Sequence, residues 1–284
     1  EVIAISERSG IPAMITHFKI RGKKNWGRSA ALIRRIDEAR AAGIDVTMAQ
    51  YPYTAGSTFL HVVIPPWYHS RGVDGLLRAL REERGAIKHD LDTRMDWENF
   101  SQSVGWEKIF VSSVVSEANQ PCVGKSISQI AAERGHADAA DAAFDLLVEE
   151  QLAVGMISFG LDEADITAIM RHPAVSFITD GLMSGRPHPR AYATYPRILG
   201  RYVREQGVLS LEEAVRKMTS LPARKIRLRN KGVIAEGYDA DLVVFDPDTV
   251  IDKNSYDDPR VHPAGIAHVL VNGVFVVEDA ALTG

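Results

Sequence analysis

One stretch near the start of the chain settles its structural class. Ile11-Pro-Ala-Met-Ile-Thr is a short apolar strand, Ser29 to about Ala42 is a helix with Ala31, Leu32, Ile36 and Ala39 at helical spacing, and Ile44-Asp-Val-Thr-Met-Ala-Gln-Tyr is a second strand. Gly43 stops the helix. A strand, helix and strand within about 35 residues is the grammar of a parallel sheet or barrel, so the chain is α/β.

The alternation then loosens and later resumes. From Pro52 to about Ile127 come Pro65-Pro66-Trp67, a helix near Val73 to Glu83, a mixed acidic and basic segment and a strand over Lys108 to Val115. This is expected to be a long insertion, of the kind that forms a lid or substrate loop. Helices are expected from Ser126 and over Asp138 to Glu150, then the strand Val154-Gly-Met-Ile-Ser-Phe, a helix over Glu163 to Arg171 and the strand Ala174-Val-Ser-Phe-Ile-Thr. Two further helices follow, about Arg197 to Gln206 and Ser210 to Thr219, with Ser210 and Glu213 placed as a capping box and Leu221-Pro222 as the stop. From about 226 the pattern is all β. Asn272-Gly273 between two β-branched runs is a strong hairpin signal.

Strands ending near Thr16, Tyr51, Phe159 and Thr179 give three or four members of a barrel that needs eight to close. An open half barrel would leave unpaired edges. At this point a partial barrel and an open sheet both remain in play.

Bulk properties narrow the partners. A hydrophobic content of 45% in 284 residues supplies a sizeable core. The net charge of -4, with arginines scattered among acids, argues against nucleic acid. No apolar run approaches the ~20 residues that span a bilayer. The single cysteine, Cys122, excludes an internal disulfide and fits a cytoplasmic setting. The first ten residues resemble the last turns of a helix closed by Gly10, and a chain that starts inside a helix gives no testimony about its own targeting. Oligomeric state is left open.

The residues with chemistry stand at strand ends. His17 and Asp180 each close a short apolar strand, where the βα loops of a barrel open and metal ligands gather. His17 is either a ligand through neutral imidazole or a hydrogen-bonded strand-end histidine, and Lys19 two residues on projects to the same side. Asp180 is either a metal ligand and proton acceptor or a turn aspartate. Arg190 ends Gly-Arg-Pro-His-Pro-Arg, where two prolines stiffen the backbone; it either grips a carboxylate or is solvated. Tyr51 stands at a strand mouth, as a site phenol or as core, and His188 between prolines is either a ligand or structural filler. Cys122 is expected to be buried, and the other histidines lack ligand-like spacing. No Gly-x-Gly-x-x-Gly, Walker, Gly-x-Ser-x-Gly or His-Glu-x-x-His motif occurs.

Taken in order, several runs resemble the C-terminal portion of the N-acyl-D-amino-acid deacylases (D-aminoacylases) of the amidohydrolase superfamily. These are Ile15-Thr-His-Phe-Lys followed by Asn25-Trp-Gly-Arg-Ser, Gln50-Tyr-Pro-Tyr-Thr-Ala-Gly-Ser-Thr, Thr179-Asp-Gly-Leu with Arg190, Tyr195-Pro-Arg-Ile-Leu-Gly-Arg-Tyr-Val-Arg-Glu, Lys217-Met-Thr-Ser-Leu-Pro-Ala, and Gly237-Tyr-Asp-Ala-Asp-Leu-Val-Val-Phe-Asp. The resemblance covers nearly the whole chain and is weakest over about 60 to 125.

The resemblance implies Zn²⁺-dependent hydrolysis of an N-acyl-D-amino acid, a small-molecule substrate. It implies that residues 1–225 are the later strands of a (β/α)8 TIM-type barrel with an insertion at about 54–127, and that 226–284 are the C-terminal part of a small β-sandwich module. By position His17 matches a zinc ligand. Asp180 matches the aspartate that ligates metal, activates water and protonates the leaving amine, while Lys19, Tyr51 and Arg190 match substrate-holding residues. The family's His-x-His, zinc-binding Cys and strand-five His have no counterparts in the chain, and Phe18 replaces a second His found in many relatives. The expectation is a C-terminal fragment that is inactive alone. Two alternatives are an amidohydrolase acting on a cyclic amide, hydantoinase- or dihydroorotase-like, and a non-catalytic remnant.

Overall fold

The computed structural model describes residues 1–283. In chain order its strands are β1 (Ala13–Ile15), β2 (Val46–Gln50), β3 (Ala55–Phe59), β4 (Ile109–Ser113), β5 (Gly155–Phe159), β6 (Val175–Phe177), β7 (Leu242–Phe245), β8 (Ile266–Val271), β9 (Val274–Glu278) and β10 (Ala281–Leu282). They form a parallel sheet in the order β1-β2-β6, an antiparallel sheet β3-β5-β4 and an antiparallel sheet β10-β9-β8-β7. The fold is α/β.

The parallel sheet carries the first core. β2 is its middle strand and is buried at every position. The helix Ser29–Ala41 covers the sheet with Ile36 and Ala39, and Met48, Val175, Phe177, Ile198 and Tyr202 complete the same cluster. Burying residues of this size contributes roughly 1.5–3 kcal/mol each. Lys217, fully buried, donates its Nζ hydrogens to the Met170 and His172 carbonyls, which ends the helix Glu163–Met170 against this core.

The second core lies under the antiparallel sheet β3-β5-β4, where helices Gly72–Glu82 and Ala139–Glu149 pack with Leu60, Leu76, Leu80, Phe144 and Leu147. Here one expectation is corrected. The strand ending at Phe159 is not a barrel strand: β5 pairs antiparallel with both β3 and β4. An apolar run specifies a buried strand but not its partners, and only four residues separate β2 from β3, so the chain leaves the parallel sheet there and rejoins it at β6.

One helix boundary also differs. The helix expected from about Arg197 is preceded by a helical turn from Arg190, behind Pro189, with a kink at Ala193 (φ -135°), and it passes Pro196 into a widened π-helical stretch, Ile198–Glu205. The helix Leu211–Met218 ends at Thr219, just ahead of Leu221-Pro222 as expected, and a separate short helix runs Ser220–Lys225, with Pro222 in a first turn whose N–H groups have no intrahelical acceptor. Ser210 caps its helix through Glu213 N–H as the spacing predicts, but the Glu213 carboxylate pairs with Arg216 and the expected box is half formed; Ser126 with Gln129 makes a full capping box. Asn272 and Gly273 take φ of 50° and 79°, the left-handed pair that a two-residue hairpin between β8 and β9 requires. Among the described residues no helix is long and apolar enough to cross a membrane.

Candidate active site

The order β1-β2-β6 sets three strand ends side by side, all running the same way. His17 follows β1, Tyr51 follows β2, and Asp180 follows β6. The backbone continues each ladder past the strand: Phe18 N–H donates to the Ala49 carbonyl at 2.8 Å and Ile178 N–H to the Gln50 carbonyl at 3.0 Å. Next to those anchored points, His17 just before Phe18 and Asp180 two residues after Ile178 adopt φ of 41° and 47°. Non-glycine residues enter this region at a cost of order 1–3 kcal/mol, and such strain concentrates at functional sites. Both side chains are exposed, whereas Tyr51 between them is buried.

The Tyr51 ring is the floor of the site. Lys19 Nζ lies 5.6 Å from its centroid and the Arg190 guanidinium 4.4 Å. Lys19 Nζ donates to His17 Nδ1 at 2.9 Å and to the His17 carbonyl at 2.8 Å, while Arg190 Nη2 pairs with Asp180 at 2.9 Å. His17, Lys19, Tyr51, Arg190 and Asp180 are thus linked by direct contacts through a single ring. Burial, reinforced by Arg21, lowers Lys19 to about 8, and Asp180 opposes the shift. Burial raises Tyr51, with Arg190 and Arg21 pulling the other way.

Arg190 is buried, not solvated. It is 1% exposed, and Nη2 donates to the Ser57 carbonyl at 3.0 Å as well as meeting Asp180. Its Nε and Nη1 are buried without a partner. Each unmet donor costs about 1–3 kcal/mol, and the group keeps hydrogen-bonding capacity that an anion can use. His188 is more than filler: its Nδ1 accepts the Arg190 N–H at 3.0 Å and its Nε2 faces the Ala55 carbonyl at 3.1 Å. That pairing assigns the Nε2–H tautomer. Burial, with Arg190 and Arg197 adding to it, holds His188 well below its ordinary value and keeps the ring neutral.

Arg21 was not anticipated. Its guanidinium stacks 4.1 Å from the Phe100 ring, reaches Ser158 Oγ at 3.3 Å and lies near Glu98. Trp26 Nε1–H and Gly22 N–H both donate to the Gly160 carbonyl, and Gly27 N–H donates to the buried Asp165, which ties the Asn25-Trp-Gly-Arg-Ser run to the loop after β5. Lys19 and Arg21 are two residues apart, and that spacing was the available signal for a second cation on one side. A cavity of about 650 Å³ opens beside them, lined by His17, Lys19, Arg21, Asn25, Trp97 and Glu98. Trp97 and Glu98, from the segment 54–127, wall this side of the cavity.

An imidazole nitrogen and a carboxylate oxygen suit zinc. The pair fits as part of a metal site: both leave strand ends in strained, exposed geometry at one corner. Among the described residues no group of three His, Cys, Asp or Glu side chains joins them. Lys19 now occupies His17 Nδ1, so ligation through that atom requires the ammonium to turn aside.

A strand-mouth imidazole and carboxylate above a buried arginine are groups that metal-dependent hydrolases use, and comparison with known proteins gives the family. The chain belongs to the amidohydrolase family, whose model matches residues 120–277. It is 39% identical to N-acyl-D-glutamate deacylase of Alcaligenes xylosoxydans xylosoxydans over 281 residues, 99% of this chain and 48% of that protein. D-aminoacylase of the same organism is 35% identical, with 100% of this chain and 49% of that protein covered. Among solved structures, N-acyl-D-glutamate deacylase from Bordetella bronchiseptica, complexed with zinc and a phosphonate inhibitor that mimics the tetrahedral intermediate, superimposes with a TM-score of 0.77 at 35% identity, covering 97% of this chain and 48% of that one. The chain spans about half the length of the relatives it matches.

Proposed function

We propose that this chain carries the substrate-binding and proton-transfer half of a zinc-dependent N-acyl-D-amino-acid deacylase. In this reading the parallel sheet is the later part of a (β/α)8 barrel and the β7–β10 sheet the C-terminal part of a β-sandwich. His17 and Asp180 would hold zinc, with further ligands supplied from outside residues 1–284. Bound there, zinc makes water nucleophilic near neutral pH and polarises an acyl oxygen.

The chain's own residues do the rest. Arg190 and Lys19 take the α-carboxylate, and the Tyr51 ring fixes the distance between them. Asp180 accepts a proton from the attacking water as its oxygen bonds to the acyl carbon, then returns that proton to nitrogen as the C–N bond breaks. Products are a carboxylate and the free D-amino acid. The observation that carries the reading is Arg190, a buried guanidinium with two unpartnered nitrogens beside the carboxylate of Asp180.

The test is amino-acid release from N-acetyl-D- and N-acetyl-L-amino acids, and from a hydantoin, by the complete zinc-loaded protein. Release from the D-amide alone is expected, and residues 1–284 by themselves should be inactive. Exclusive cleavage of the hydantoin, or no cleavage of any substrate, would contradict the reading.

A further inference from the structure

We infer that Arg21 is a specificity-determining residue that receives a second carboxylate, on the side chain of the substrate, so that the preferred substrates are N-acylated acidic D-amino acids. This rests on the deacylase reading and refines it.

Charge count is the first argument. Lys19 and Arg190 both lie over the Tyr51 ring, Arg21 Nη2 and Tyr51 Oη flank one point beside Gly56, and the neighbouring acids are Asp180 on Arg190 and Glu98 on Arg21. Asp180 is already paired with Arg190. Glu98, with a side chain 68% exposed, can turn to solvent, and the three cations then face Asp180 alone. A substrate with one carboxylate leaves the largely buried Arg21 guanidinium over, whereas a dicarboxylate balances the site.

The setting of Arg21 is the second. It lines the same cavity as His17 and Lys19, and its backbone is fixed by Asn25, whose side-chain NH₂ donates to the Arg21 carbonyl at 2.8 Å. The Phe100 face orients the guanidinium plane, and Arg21 Nη2 and Tyr51 Oη lie 3.2 and 3.1 Å from the point a Cβ on Gly56 would occupy. Its standing partner is weak. Glu98 has a side chain 68% exposed and lies 3.3 Å from Nε, yet Nε is buried with no aligned hydrogen bond. An incoming carboxylate at this planar fork gains charge-assisted bonds that Glu98 does not make.

The experiment compares kcat/KM for N-acetyl-D-glutamate and its neutral isostere N-acetyl-D-glutamine in the complete zinc-loaded protein. A glutamate preference of about 100-fold is expected, falling to near unity in Arg21→Gln and to an intermediate value in Arg21→Lys. Glu98→Gln, an exposed change that keeps the fold, should raise the preference about threefold by freeing Arg21. A wild-type ratio near unity, or a ratio that none of these variants moves, overturns the inference and leaves the deacylase reading intact. If neither amide is hydrolysed, the deacylase reading fails instead, and calorimetric binding of glutarate against butyrate decides: preference for the diacid that Arg21→Gln abolishes supports the role, and equal binding overturns it.

Discussion

The guanidinium of Arg190 and the carboxylate of Asp180 meet at 2.9 Å with opposite exposures, the arginine side chain 1% and the aspartate side chain 35% open to solvent. The arginine is fixed from behind by His188 and Ser57, so the aspartate is the member free to face water and substrate. In the reaction proposed above, anion binding and proton transfer are coupled across this one ion pair.

Arg190→Lys keeps the charge and loses the planar fork. Steady-state kinetics on an N-acyl-D-amino acid should show kcat/KM lower by about 100-fold, mostly through KM, because two charge-assisted bonds are lost. A value within threefold of wild type would show that Arg190 does not hold the substrate.

Gly56→Ala tests the floor of the site from β3. The new Cβ would stand 3.1 Å from Tyr51 Oη and 3.2 Å from Arg21 Nη2, close enough to displace both groups without burying anything new. Turnover should fall roughly tenfold while the melting free energy changes by less than about 1 kcal/mol. Unchanged turnover would remove the Tyr51 hydroxyl from the account.

Glu150 predicts how stability depends on pH. Its carboxylate, buried at the end of the helix Ala139–Glu149, accepts from Val115 N–H, Ser116 N–H and Oγ–H, and Asn119 Nδ2. Burial alone would raise it, but these bonds outweigh burial and lower it to about 2. A depressed folded value gives stability that is complete above the unfolded value near 4.5 and is lost as pH falls toward 2. The contribution is on the order of 3 kcal/mol. Urea melts between pH 6 and 2.5 should show that loss in the wild type and a flatter profile in Glu150→Gln; parallel profiles would contradict it.

Much of this site was legible because it depends on strand ends. Period and apolar runs located β1, β2 and β6 to within a few residues, and that alone put His17, Tyr51 and Asp180 on one edge. What the sequence did not disclose was pairing and burial. β5 has the same apolar signature as a barrel strand, and only its antiparallel partners β3 and β4, which come from the insertion, reveal otherwise. Arg190 could equally have been solvated, since nothing local shows that Ser57, 133 residues away, accepts its hydrogen bond. Arg21 sits in a run with Lys19, Lys23 and Lys24 that looks like an ordinary basic surface, and the Phe100 ring that orients it lies in the segment of weakest resemblance. Glu150 opposes its own helix dipole and makes sense only through the 115–119 loop.

The most direct measurement is turnover by Asp180→Asn in the complete zinc-loaded protein, with circular dichroism and the melting temperature followed in parallel. The account predicts a fall in kcat of at least about 10³-fold with folding unchanged, since an amide neither accepts the water proton nor returns it to the amine. Retention of kcat within tenfold of wild type would contradict it, because proton transfer would then belong to another group.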